Sequence, residues 1–225
     1  MEESTYTDPQ FIQFSKRFTM AKLNAEKDTV TAARYRVKSY PTIMVLRKDG
    51  TEMDRVVGYY RAPQFISQVE DFMAGRNTLA SFAAMEPDSG KDPAFVARLG
   101  ENYLYHGLGD EAEKRFHRVI EMDPGNRSGL VDDALYHLAR MSRSNKDYAS
   151  DRRYAKRIID RYPDSDMYRP AILEVAGAYR RETKYKEALP IYVDYAKRFP
   201  SDEDTPFAKE QADSCRARIQ RGEGV

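Results

Sequence analysis

Three prolines, Pro124, Pro163 and Pro200, each follow a stretch of helical apolar period, at spacings of 39 and 37 residues. A recurring unit of that size constrains the fold strongly. One helix pair cannot bury its apolar stripe alone, whereas stacked copies bury a continuous core. From Asp92 onward the chain reads as helix pairs separated by proline-containing turns, because proline ends a helix that would otherwise run on. Pro206 to about Arg221, behind Thr205 as a cap, is predicted to form a last helix that covers the final apolar face.

Within this region Val96, Leu99-Gly100, Tyr103, Gly107, Ala112, Phe116 and Pro124 fall at fixed spacing, and Ile172, Val175-Ala176, Tyr179, Ala188, Tyr192 and Pro200 repeat the pattern. Small residues let two antiparallel helices approach closely while aromatics fill the groove between hairpins. The pattern resembles tetratricopeptide repeats. The middle unit, Leu138-Ala139 and then Ile158 to Pro163, departs from it, with Ser142 at an aromatic position and Asp151 at a small one. Arg161-Tyr162-Pro163-Asp164-Ser165 and Arg198-Phe199-Pro200-Ser201-Asp202 resemble the longer-period repeats of this kind in bacterial envelope proteins.

The front of the chain reads differently. Asp8 followed by Pro9 marks a helix start, with helix to about Arg17. Residues 18–26 are apolar enough for a buried strand, and Asp28 is placed to cap a second helix through Val37. Thr42 to Leu46 and Glu52 to Tyr59 read as strands around a Lys48-Asp49-Gly50 turn. Ala62 to Ala74 is an amphipathic helix closed by Gly75. Leu79 to Met85 and the turn-rich Pro87-Asp88-Ser89-Gly90 read as a linker.

This order, with the stretches Ala21-Lys22-Leu23-Asn24-Ala25-Glu26, Tyr35-Arg36-Val37, Ser39-Tyr40-Pro41-Thr42 and Asp49-Gly50, resembles the C-terminal two thirds of the thioredoxin family. The resemblance implies that Pro41 is the cis-proline facing the family's Cys-x-x-Cys and contacting substrate, and that Gly58 lies near the peptide-binding surface. Neither redox cysteine is present, so the chain as written is expected to be redox-inert with no catalytic residue. Two explanations stand open. Met1-Glu2-Glu3 continues a longer thiol-disulfide oxidoreductase whose active site lies upstream of Met1, or the segment is a degenerate remnant kept as an adaptor.

The expected fold class is α+β, mostly α: an incomplete thioredoxin-like α/β segment at 1–76, a linker at 77–91 and a tetratricopeptide-like helical solenoid with a capping helix at 92–225. Charge is balanced, net +1 over 225 residues, so no nucleic-acid partner is expected. The basic run Arg152, Arg153, Lys156 and Arg157 reads as a solvated helix face. No stretch reaches the roughly 20 apolar residues of a membrane span. The single cysteine, Cys215, excludes an intrachain disulfide, and His106, His117 and His137 lack ligand spacing, so no metal or cofactor is expected. The compartment stays open: as given the chain reads as soluble and cytoplasmic, and as periplasmic or secreted if an N-terminal signal was lost.

In the repeat family the first helix of each hairpin lines a peptide-binding groove. Carried over, that gives Ala97, Glu101, Leu104 and Tyr105, then Tyr136, Arg140 and Arg143, then Leu173, Gly177, Arg180 and Arg181. Guanidinium forks suit carboxylates, so the expected partner is a protein or peptide, acidic or ending in a C-terminal carboxylate. The competing reading is that these arginines pair with neighbouring Asp and Glu on solvated helices.

Overall fold

The structure, a computed structural model, describes residues 4–224. Met1, Glu2 and Glu3, for which two explanations stood open, lie outside the described residues. The chain falls into two compact units, up to Arg115 and from Phe116, with the boundary inside one helix.

In the first unit Asp8 accepts the Gln10 N–H at 2.8 Å and Pro9 opens α1, Pro9–Ser15. Asp28 caps α2, Thr29–Arg34, through the Thr31 N–H at 2.9 Å. This helix is shorter than expected because Arg36 turns to positive φ. Strands β1, Thr42–Leu46, and β2, Glu52–Val57, pair antiparallel, with Ile43 opposite Val56 and Val45 opposite Asp54. Gly50, at φ +80, closes the turn between them. Helix α3, Ala62–Met73, puts Ala62, Phe65, Val69 and Phe72 on one buried stripe. Phe11, Phe14, Val45 and Val56 complete that core, each large side chain contributing roughly 1.5–3 kcal/mol by burial.

Two expectations for this unit are corrected. Residues 18–26 form no strand: residues 19–24 are irregular and exposed, and the Asn24 carboxamide accepts the Glu26 and Lys27 N–H groups in a local turn. Their apolar character finds no ladder among the described residues. The stretch taken as a linker holds α4, Leu79–Ser89, started by a Thr78–Ser81 capping box. Pro87 sits inside its last turn, and the Gly90 N–H still reaches the Glu86 carbonyl at 2.9 Å. Helix α5, Pro93–Tyr105, follows behind Asp92 as cap, and α6, Gly109–Met122, crosses into the second unit.

The second unit stacks α7, Val131–Ser144, α8, Tyr148–Arg161, α9, Tyr168–Arg181, α10, Tyr185–Arg198, and α11, Thr205–Gln220, each packed on the next. As expected, α11 covers the last hairpin, laying Ala208, Ala212 and Cys215 on Ala188, Tyr192 and Tyr195. Thr205 is not its cap, as predicted, but its first residue: Asp204 stands at the cap, and the Thr205 hydroxyl donates to the Phe199 carbonyl. Tyr195 donates to Asp202 at 2.6 Å, which fixes the turn before α11.

Candidate functional site

Tyr136, Arg140 and Arg143 recur at helical spacing on one face of α7, which packs on α9. Exposed Arg140 lies 5.9 Å from the Tyr136 ring. Arg143 turns inward, one nitrogen donating to both Glu174 carboxylate oxygens at 2.8 and 2.7 Å. Arg181 stands 3.8 Å from the same carboxylate and lies across Gly177, where a Cβ would come within 2.8 Å of its guanidinium. Burial, with the Glu174 charge, raises the Tyr136 phenol above its ordinary range.

Asp151, at the position where the repeat pattern wants a small residue, is wholly buried on α8. Neither carboxylate oxygen reaches a donor. Burial, then the neighbouring Glu174 charge, pushes this carboxyl up to about 7 despite Arg143 and Arg181. Arg180 points elsewhere, against the Tyr192 phenol, with its Nε–H buried and unpartnered. The expected groove residues thus divide into Arg143 and Arg181 at Glu174, Tyr136 and Arg140 beside each other on α7, and Arg180 apart from them.

Glu101 and Tyr105 belong to α5 of the first unit, Glu101 half-buried and Tyr105 exposed. The Tyr105 carbonyl accepts from Arg55 at 3.4 Å. Next to it His106, 7% exposed, places Nδ1 2.8 Å from the Asn102 carbonyl and Nε2 3.3 Å from Asp54. Asp54, also buried, accepts the Leu79 N–H and the Arg55 N–H at 2.7 Å each. Sequence spacing missed this cluster because its members come from β2, α4 and the end of α5. His117 lies near Tyr154, and His137 stacks on Phe116 with centroids 4.7 Å apart.

Pro41 is exposed at the start of β1, and its carbonyl accepts the Gly58 N–H at 2.9 Å. The Tyr40–Pro41 peptide bond is cis. Tyr40 and Tyr59 are both exposed, and the Tyr59 hydroxyl meets the Ser4 hydroxyl at 2.5 Å. Cys215 is fully buried, and burial raises its thiol above the ordinary range.

A helix-flanked β-hairpin unit followed by stacked antiparallel helix pairs is a thioredoxin-like segment joined to a tetratricopeptide-type array. The family model of the thioredoxin-like domain matches residues 5–73, and that of the tetratricopeptide repeat matches 133–165. The second match falls on the middle hairpin, the one least regular by inspection. No curated protein matches the chain. Among the described residues no helix is long and apolar enough to cross a membrane.

Proposed function

We propose that the chain is a protein-interaction scaffold, its helical array binding a partner peptide and its thioredoxin-like segment serving as a redox-inactive appendage. The observation that carries this reading is the pair of packed first helices, α7 and α9, bearing Tyr136, Arg140, Arg143 and Arg181. Arg143 and Arg181 both face Glu174, so within the second unit the exposed cation left for a partner on this face is Arg140, while Arg180 is turned toward Tyr192. Titrating peptide pools against Arg140→Ala and Arg180→Ala tests it, and binding unchanged in both variants overturns it. The inert reading of the front segment rests on the lone Cys215, buried and with a raised thiol. An insulin-reduction assay should show no turnover.

A second reading is favoured by one observation: among the described residues β1 pairs with β2 alone, and Tyr40, Leu46 and Tyr59 are exposed on this small sheet and its ends. An unpaired strand edge beside apolar side chains is a pairing template. In this reading the chain is part of a thiol-disulfide oxidoreductase whose cysteines lie upstream of Met1, with Pro41 contacting substrate. Nucleotides upstream of Met1 decide: an in-frame Cys-x-x-Cys supports it and a stop codon removes it.

A further inference from the structure

A second cationic face of this unit runs along α8. A cleft of about 930 Å³ is lined by Arg152, Arg153, Lys156, Arg157 and Arg161 of that helix, together with Pro124, Gly125 and Tyr162. The Tyr162 hydroxyl donates to the Pro124 carbonyl at 3.3 Å, which ties the wall of the cleft to its floor. Arg152 is spoken for, paired with Glu182 and stacked 4.5 Å over the Tyr179 ring. Arg153 rests 5.0 Å over Tyr154, and, after the Ser150 N–H, its charge helps hold the Asp147 carboxyl below its ordinary range. Lys156, Arg157 and Arg161 make no ion pair among the described residues, and Asp160, the one acid in the lining, pairs with none of them. An interleaved acid that left these cations unpaired is a poor neutraliser.

We infer that this cleft docks a short acidic segment of a partner protein, its carboxylates taken by Arg153, Lys156, Arg157 and Arg161. Three considerations select that occupant. The volume is at the upper end of small-ligand pockets, which suits a few residues of extended peptide rather than a duplex. Residues 116–225 hold 21 Lys and Arg against 19 Asp and Glu, a local stripe on a nearly neutral unit rather than the broad basic field of a nucleic-acid binder. The one aromatic ring in the lining is held by a hydrogen bond to the cleft's own wall, which leaves no stacking platform for bases. A recess rather than an apolar face also gives an anionic membrane little to enter.

The inference rests on the interaction reading above, yet the two fail separately. The full chain is titrated by fluorescence anisotropy with a labelled oligo-glutamate peptide. It is compared with the triple variant Lys156→Glu, Arg157→Glu, Arg161→Glu and with Arg140→Glu as the groove control. The affinity of the triple variant should fall by at least about tenfold, more than that of Arg140→Glu, with binding weakening as salt screens the contacts. Helical circular dichroism and the melting temperature report the fold, and where charge reversal lowers them the triple Gln variant carries the same comparison. Peptide binding indifferent to the triple variant overturns the inference. So does tighter binding of oligothymidylate or of phosphatidylserine vesicles that the same variant abolishes. Loss in Arg140→Glu alone would place the acidic ligand in the α7–α9 groove instead.

Discussion

Arg143 holds Glu174 across 31 positions of sequence, one guanidinium nitrogen on both carboxylate oxygens, in a site where Glu174 is 5% exposed. The pair joins α7 to α9, two helices apart in the stack, and fills the core between them. Arg143→Ala leaves buried Glu174 with only Arg181, at 3.8 Å, as counter-charge, and breaking a buried pair costs up to roughly 3–5 kcal/mol. Arg143→Ala should therefore lower the urea midpoint of unfolding sharply. Arg143→Ala combined with Glu174→Leu should recover most of the loss. Equal destabilisation in the single and double variants would remove the pair from the account.

Asp151 adds a second acid to the same site, and its carboxyl rises from 3.8 to about 7 through burial first and the Glu174 charge second. The folded state then holds a proton that the unfolded state releases between about pH 4 and pH 7. The contribution to stability is present in full below pH 4 and is lost as pH rises through 7. A proton on Asp151 also relieves the repulsion between its carboxyl and the neighbouring Glu174 charge. Asp151→Asn should flatten this part of the pH profile and stabilise the chain at pH 8 by roughly 2–4 kcal/mol. Denaturant melts of both proteins at pH 4, 6 and 8 check it, and a constant difference across the three rejects it.

Asp54 ties β2 to the start of α4 and the end of α5 through the Leu79 N–H, the Arg55 N–H and His106. Truncation leaves buried donors unpaired, each worth about 1–3 kcal/mol. Asp54→Ala should lower the melting temperature of the full chain well beyond Asp54→Asn, which keeps one acceptor oxygen. Identical curves for the two would show that the Leu79 and Arg55 bonds carry no weight.

What the sequence made legible was local. Asp49-Gly50 announced its hairpin, Asp8-Pro9 and Gly75 their helix ends, and the periodic small and aromatic residues the outer hairpins. Residues 18–26 misled because apolar character carries no information about whether a neighbouring strand exists. Pro87-Asp88-Ser89-Gly90 misled because turn-forming residues are tolerated in a last helical turn, where few backbone bonds depend on them. Asp151 was visible as a misfit but not its partner. Its meaning depends on Glu174, one helix further along the stack. The Asp54–His106 contact, across 52 positions, leaves no periodic trace at all.

Gly107 shows how one residue can satisfy two demands. The repeat pattern places it at the turn between paired helices, and after α5 it adopts φ +67 while its N–H meets the Leu104 carbonyl at 2.9 Å. An L side chain in that conformation costs about 1–2 kcal/mol. Here a Cβ would also lie 2.7 Å from the Arg36 carbonyl oxygen and 2.9 Å from the Arg36 Cβ. Arg36 cannot easily retreat, because it too sits at positive φ and its guanidinium donates to the His106 carbonyl at 3.3 Å. Overpacking against such a neighbour adds roughly 1–3 kcal/mol. Gly75, at φ +71 with no atom within 4 Å of its absent Cβ, isolates the conformational part. Gly107→Ala should thus lose about twice the stability of Gly75→Ala in urea unfolding. Equal losses would mean that the backbone conformation alone, and not the approach of Arg36, keeps glycine at this turn.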